Sequence, residues 1–323
     1  MTLAHIYLQQ KKSLTRIEHE LERSVTADHP LIETAARDLL QAGGKRIRPI
    51  LTLLSAQYGD SRRQEVIDAA VTLELIHMAS LVHDDVVDDS DLRRGRATVK
   101  AKWDNRLAMF TGDFIFARAI ERITSIADPE AHVLISRVIR DLSLGEIDQI
   151  KELYHLDQNL RCYLRRIKRK TALLMALSCQ LGALTAGCAS RLSRRLYYFG
   201  YFLGMSYQIT DDLLDFTGNE KKIGKPAASD LRNGNITLPT LYALSLDPGV
   251  RDLTRAALAA PSDEEANWPP IIERIKRSGA LEKSEQLSDW YLKKALAVLD
   301  DLPEVQVTRS LKEIAEYIGT REK

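Results

Sequence analysis

Residues 69–88 read AAVTLELIHMASLVHDDVVD, and this stretch decides the fold. From Ala69 to Val82 it is apolar nearly all round, without the period of two that a half-buried strand would show. A helix of that kind belongs in the centre of a large α-helical domain. It runs straight into Asp84, Asp85 and Asp88, an Asp-Asp-x-x-Asp motif. The pattern recurs further along, where an equally apolar run from Leu196 to Ile209 ends in Asp211, Asp212 and Asp215. Leu14, Ile17 and Leu21 fall at i, i+3 and i+7 and predict an amphipathic helix near the start. Gly200 and Gly204, one turn apart, would let a neighbouring helix approach closely. No convincing strand pattern and no solenoid repeat competes, so the expected fold is all-α, one large helical bundle around a central substrate cavity.

Three breaks punctuate the helices. Residues 41–49 (QAGGKRIRP) form a Gly-rich basic turn before another helix. Residues 217–239 hold three glycines and two prolines, too long for an ordinary connector, which predicts a functional loop. Residues 259–270 read as a softer hinge, in which Ser262 and Glu265 fit a capping box for a short helix. The helical tail over 259–323 reads as part of the same domain, so residues 1–323 are expected to form one unit.

The bulk properties exclude several classes. Lys plus Arg is 46 against 45 for Asp plus Glu, and a net charge of +1 gives no field that would gather nucleic acid or an anionic membrane. Cys162, Cys179 and Cys188 have no metal-type spacing and are odd in number, which fits a reduced, cytoplasmic protein. The first 16 residues contain no apolar core of signal-peptide length. Residues 171–189 are uncharged and follow the basic run RRIKRK, the pattern of a spanning helix with a positive flank. Ser178, Gln180, Gly182, Thr185 and Gly187 dilute that run, and a buried core helix is the expectation, with no transmembrane segment.

The acidic motifs carry the chemistry. On a helix, i and i+4 share a face about 6 Å apart, so Asp84 can share a cation with Asp88, and Asp211 with Asp215. Clustered carboxylates at the end of a buried helix repel one another and are costly to desolvate unless a cation joins them. Oxygen-only donors suit magnesium, which keeps several waters and usually binds substrate phosphates too. Two solvated helix ends would be the plainer account of either motif alone; two motifs, each fused to a buried apolar helix, argue against it. Basic residues supply the complement: Lys45, Arg46 and Arg48 after Gly43-Gly44, then Arg93, Arg94 and Arg96, then Lys168, Arg169 and Lys170, and Lys225 in the long loop. Several cationic clusters beside acids point to a highly charged anion bridged by metal, and a diphosphate fits.

With those residues in view, the sequence resembles the trans-isoprenyl diphosphate synthases, the polyprenyl synthetase family. The resemblance runs from about Leu39 to Pro239 and includes GGKRIRP, LIHMASLVHDDVVDDSDLRRGRAT, TGDFIFARA, the Lys170-Thr171 pair, MSYQITDDLLDFTG and GKPAASDLRNGNITLP. Within the family it is most similar to the catalytic large subunit of a two-component long-chain synthase. The resemblance implies a prenyl-group transferase that condenses an allylic diphosphate, such as farnesyl diphosphate, with successive isopentenyl diphosphates. The implied product is a long-chain (heptaprenyl) diphosphate for quinone side chains such as menaquinone's. It implies that all six aspartates hold Mg2+ on the allylic diphosphate, with Lys170 sharing in catalysis. Arg93, Lys170, Thr171, Gln208 and Lys225 would contact that diphosphate, and Lys45, Arg48, His77 and Arg94 would bind isopentenyl diphosphate. A satisfied core histidine is the plainer account of His77 taken alone. Ala79 and Ser80, at the level where short-chain relatives often carry a bulky aromatic, would leave room for a long product. The resemblance further implies a small regulatory subunit as partner and a cytoplasmic enzyme, peripheral to the membrane when it releases product. One departure stands out: Gly234-Asn235 replaces the Gly-Lys found in many members.

Other readings stay open on the residues alone. A terpene cyclase uses similar magnesium chemistry but would not need Lys45 and Arg48 for a second diphosphate. A catalytically silent regulatory subunit should have lost acidic residues, and all six are present. A metal-binding helical scaffold leaves the paired basic sites unexplained, and a homodimeric synthase of different chain length fits the motifs equally.

Overall fold

The computed structural model describes residues 3–93, 95–218, 226–260 and 266–319. Helices make up most of it, and among the described residues the strands form a single two-residue ladder. In chain order, α1 covers Leu3–Ser24, α2 Pro30–Gln41, α3 Ile47–Ala56 and α4 Gln64–Val87. A short hairpin follows, β1 Leu92–Arg93 and β2 Arg96–Ala97, then α5 Val99–Lys102, α6 Asn105–Ile123 and α7 Pro129–Glu152. Next come α8 Leu160–Ile167, a π-helical turn at Lys168–Ala172, α9 Leu173–Thr185 and α10 Ser190–Thr217. The remaining elements are α11 Ser229–Arg232, α12 Leu238–Leu246, α13 Pro248–Leu258, α14 Trp268–Arg277, α15 Ala280–Asp300 and α16 Gln306–Gly319.

The chain divides into two compact units that interleave in sequence. The first comprises Met1–Ile139, Leu174–Gly200 and Val298–Glu313; the second comprises Arg140–Leu173, Tyr201–Ala297 and Ile314–Lys323. Residues 259–323 are thus divided between both and form no body of their own.

In the first unit α4 is the central helix, packed against α1, α3 and α6. From Val66 to Ile76 every residue is buried, as expected of a helix with no polar side. It is the one helix among the described residues long and apolar enough to cross a membrane, and 78% of its apolar window is covered by protein. The other run with spanning character resolves into the π turn and a 13-residue helix, α9, short of the roughly 20 residues a bilayer needs. Leu174, Leu177 and Leu181 of α9 are at most 1% exposed, worth roughly 1.5–3 kcal/mol each when fully buried. The polar residues that dilute it bond back within the helix: Ser178 donates to the Leu174 carbonyl at 2.8 Å and Thr185 to that of Leu181 at 2.7 Å. A Cβ on Gly200 of α10 would lie 2.6 Å from the Met175 carbonyl oxygen, so this glycine lets α10 reach the α9 backbone as its position suggests.

In the second unit α8, α10 and α15 bury Tyr163, Ile167, Met205, Ile209 and Tyr291 together. A separate core gathers Phe216, Leu231, Ile236, Trp268 and Ile275 around α11–α14. Helix α14 begins at Trp268, so Pro269 and Pro270 stand in its first turn, where a missing N–H costs nothing. Ser262 and Glu265, the expected capping box, lie outside the described residues. Sequence patterning did not anticipate the β1–β2 ladder, because two residues a side are too few to show alternation; Gly95, at φ +74°, turns the chain between them.

Candidate active site

Helix α4 presents a partly accessible stripe along one face. His77, Ser80, Leu81, Asp84 and Asp88 fall at i, i+3, i+4, i+7 and i+11, one face of a 3.6-residue helix, and all are partly exposed. Asp88 caps the helix, its N–H donating to the Asp84 carbonyl at 2.8 Å. Carboxylates at a helix C-terminus oppose the helix dipole, so this stripe favours a bound cation. Asp85 points elsewhere. It is 3% exposed, and the Arg93 Nε and Nη2 both reach its Oδ1 at 2.8 Å. The chain turns at Asp89, a non-glycine at φ 51°, and the hairpin returns Arg93 to that carboxylate. Arg94 lies outside the described residues. Ala79 is fully buried on the side of α4 that carries Val82 and Val86, and Val82 packs with Ala35, Val99 and Ala108. Ser80 lies on the acidic stripe, its hydroxyl donating to the His77 carbonyl at 2.9 Å.

The basic turn after α2 sorts into two kinds of residue. Arg46 stands at φ 46° and is taken up by structure: Nε donates to Glu18 at 2.6 Å and Nη1 to the buried Glu74 at 2.9 Å. It fixes the turn from which its neighbours project. Lys45 is exposed and Arg48 half-buried at the start of α3. The Lys45 carbonyl accepts from the Tyr7 hydroxyl of α1.

In the second unit, Lys170 and Thr171 occupy the π turn between α8 and α9. Such turns are rare and often mark functional sites. Gly145 of α7 makes room for this one, since a Cβ there would lie 2.8 Å from the Arg169 Cβ. Lys170 Nζ donates to Glu146 at 2.8 Å and to Gln149 at 2.7 Å. The Thr171 hydroxyl donates to Gln208 Oε1 at 2.6 Å, and Gln208 Nε2 donates to Asp212 Oδ1 at 2.9 Å. Asp212 Oδ2 accepts from the Tyr163 hydroxyl at 2.7 Å. Asp212 is 3% exposed; burial first, and then neighbouring Asp230, push its carboxyl up to about 8 against the opposing bonds from Gln208 and Tyr163. Burial, and then Asp212, raise the Tyr163 phenol well above its usual range.

The other two acids of this motif differ again. Asp211 lies partly exposed on α10. Asp215 takes the backbone N–H groups of Ser229 and Asp230, each at 3.1 Å, and so caps α11 and ties the long loop to the motif helix. Lys225 lies outside the described residues. Asn235 follows Gly234, whose φ of +78° and contact with the Tyr154 ring, 2.6 Å from where a Cβ would stand, leave no room for a side chain. Arg166, 5% exposed, donates to the Ile236 carbonyl at 2.6 Å and to Glu152 at 2.6 Å, which fixes this end of the loop.

Sequence reasoning named Lys170, Thr171 and Gln208 for the allylic diphosphate; the structure joins Thr171 and Gln208 to Asp212, and Lys170 to Glu146 and Gln149. It passed over Glu146, Gln149, Tyr163 and Arg166, because a single polar residue on an amphipathic helix carries no spacing signal.

The donor set along α4 is all oxygen, and Asp84 with Asp88 on one accessible face fits a hard divalent cation. The model of the polyprenyl synthetase family matches residues 29–275. Heptaprenyl diphosphate synthase component 2 of Geobacillus stearothermophilus is 53% identical over 324 residues, covering 100% of this chain and 100% of that protein. The Bacillus subtilis protein of the same name is 53% identical, over 94% of this chain and 87% of its own length. Among solved structures, heptaprenyl diphosphate synthase from Staphylococcus aureus superposes with a TM-score of 0.92 at 38% identity, covering 97% of this chain and 99% of that one. A polyprenyl synthase from Caulobacter crescentus, complexed with calcium and isoprenyl diphosphate, gives 0.94 at 31% identity over 100% and 98%. The chain belongs to the polyprenyl synthetase family, as a long-chain prenyltransferase of all-α fold.

Proposed function

We propose that this prenyltransferase makes heptaprenyl diphosphate from farnesyl and isopentenyl diphosphates, with Mg2+ as its metal and a small second subunit as its partner. The observation that carries the product and partner is 53% identity, end to end, with a protein named heptaprenyl diphosphate synthase component 2. The name itself implies a component 1 for that protein. Asn235, where many self-sufficient relatives have lysine, supports the two-component reading. Free thiols at Cys162, Cys179 and Cys188 are consistent with work in a reducing cytoplasm, at the membrane periphery when the apolar product leaves.

The proposed roles follow the accessible side chains. Asp84 and Asp88 in the first unit, and Asp211 in the second, would hold Mg2+. When bound it would neutralise the diphosphate leaving group as the allylic C–O bond breaks. Lys170, Thr171, Gln208, Arg93 and Lys225 would orient the allylic diphosphate, the first four as preorganised donors already held by partners of their own. Asp85, Asp212 and Asp215 would act through Arg93, Gln208 and the long loop. Lys45, Arg48, His77 and Arg94 would hold isopentenyl diphosphate so that its double bond attacks the allylic carbon. The departing diphosphate can act as the base for the proton then lost, and no protein nucleophile enters the sequence.

The test is incubation with farnesyl diphosphate, labelled isopentenyl diphosphate and Mg2+, with and without a small subunit, followed by chromatography of the dephosphorylated product. A C35 alcohol is expected; a cyclic hydrocarbon, or no elongation under any pairing, would overturn the proposal.

A further inference from the structure

We propose that Tyr163 is a positioning residue for allylic diphosphate recognition, holding Gln208 and Thr171 in one orientation through Asp212. The inference deepens the proposed function and rests on it.

Tyr163 is fully buried in the second unit, on α8, among Ile167, Met205 and Ile209. A phenylalanine would fill that volume without the cost of taking a hydroxyl out of water. The hydroxyl therefore needs a purpose, and its bond at 2.7 Å to Asp212 Oδ2 supplies one. The ring is itself braced, with the Arg166 guanidinium 5.8 Å from its centre and Arg166 fixed to Glu152 and the Ile236 carbonyl.

Donor and acceptor chemistry then runs one way along the chain of contacts. Tyr163 occupies one Asp212 oxygen, which turns the other, Oδ1, towards Gln208. Oδ1 accepts here, and the Gln208 amide presents Nε2 to it. Its Oε1 consequently faces Thr171, whose hydroxyl donates to it at 2.6 Å. One amide hydrogen of Gln208 remains for a ligand. Without Tyr163 the Asp212 carboxylate is free to rotate, the amide to flip, and the donor set at the π turn becomes a mixture. Such preorganisation affects the substrate whose diphosphate meets Gln208 and Thr171, and not the one bound at Lys45 and Arg48.

The experiment compares Tyr163→Phe with wild type, in the assembly that is active, by separate KM measurements for farnesyl and isopentenyl diphosphates plus thermal denaturation. The expected result is a KM for farnesyl diphosphate raised about tenfold, the scale of one charge-assisted hydrogen bond. The KM for isopentenyl diphosphate should stay close to wild type, and the melting temperature should fall by no more than the loss of one buried hydrogen bond accounts for. An unchanged farnesyl KM, or equal rises in both, would overturn the inference. Should Tyr163→Phe not fold, Asp212→Asn decides instead, because its Nδ2 can face the Gln208 amide and undo the same orientation. The same selective rise is expected there, and its absence is fatal to the inference. Failure of the wild type to elongate at all would instead count against the proposed function, so the two failures are distinguishable.

Discussion

Asp84 and Asp212 belong to matching motifs, yet their surroundings set them opposite tasks. Asp84 lies on the accessible stripe of α4, where a carboxylate can meet a metal and its loss cannot be made good by the inward-facing Asp85. Asp84→Ala should lower turnover by about two orders of magnitude or more while far-ultraviolet circular dichroism stays unchanged. Steady-state rates across a magnesium titration are the measurement, and near-normal turnover in the folded variant would sink the assignment. Asp212 carries a stability penalty instead. Its carboxyl is raised from 3.8 to about 8 in the folded chain, so below the lower value both states hold the proton and nothing is lost. As pH rises towards 8 the unfolded state gains by ionising and the folded state falls behind. Asp212→Asn removes that dependence. In metal-free protein its melting temperature should exceed wild type by a margin that widens from pH 5 to pH 8, even as activity falls. A margin that does not change with pH would show that the carboxyl is not held in this way.

At the scale of elements, α4 does two jobs with its two sides. Its acid stripe continues through Leu81, Ser80 and His77, while Ala79 stands on the opposite side with Val82, both buried, and the half-buried Val86. Small residues at this level predict a long product, because a growing apolar tail needs space below the acids. Ser80 shares the acid face, so Ser80→Phe should shorten the product by one or more isoprene units. Ala79→Tyr should also shorten it if the tail passes on that side, at some cost in packing around Ala35 and Ala108. The chain-length profile of each folded variant is the readout, and two unchanged profiles would place the tail elsewhere. The helices that carry this chemistry were legible in the sequence because all-round apolarity ending in Asp-Asp-x-x-Asp is a long, periodic signal. The π turn at Lys168–Ala172 was not, since it differs from α-helix by one backbone register and leaves no mark in composition. Nor could spacing reveal that Asp85 meets Arg93, Asp212 meets Tyr163 and Asp215 caps α11: each depends on a partner brought from another segment.

At the scale of the whole molecule, the remaining question is what else the chain needs in order to work. Phe110 is 63% and Ile120 55% exposed on α6, and Val133 on α7 is 46% exposed, all within the first unit. Large apolar side chains left in water are what a protein interface characteristically covers. A long product adds a second demand, because an extended apolar chain must be kept from water throughout several condensations. A dissimilar small subunit would answer both, whereas a second copy of this chain would answer the first alone unless it also shields the tail. The isolated chain is therefore expected to fold, to bind Mg2+ and farnesyl diphosphate, and to make little or no full-length product. Adding the small subunit should restore synthesis and shift the species seen by light scattering to a heteromer. Replacing Phe110 and Ile120 together by serine should weaken that heteromer while leaving the melting temperature of the isolated chain close to wild type, since both side chains already face solvent. Full-length synthesis by the isolated chain at every enzyme concentration would remove the need for a dissimilar partner and leave self-association as the use of those side chains.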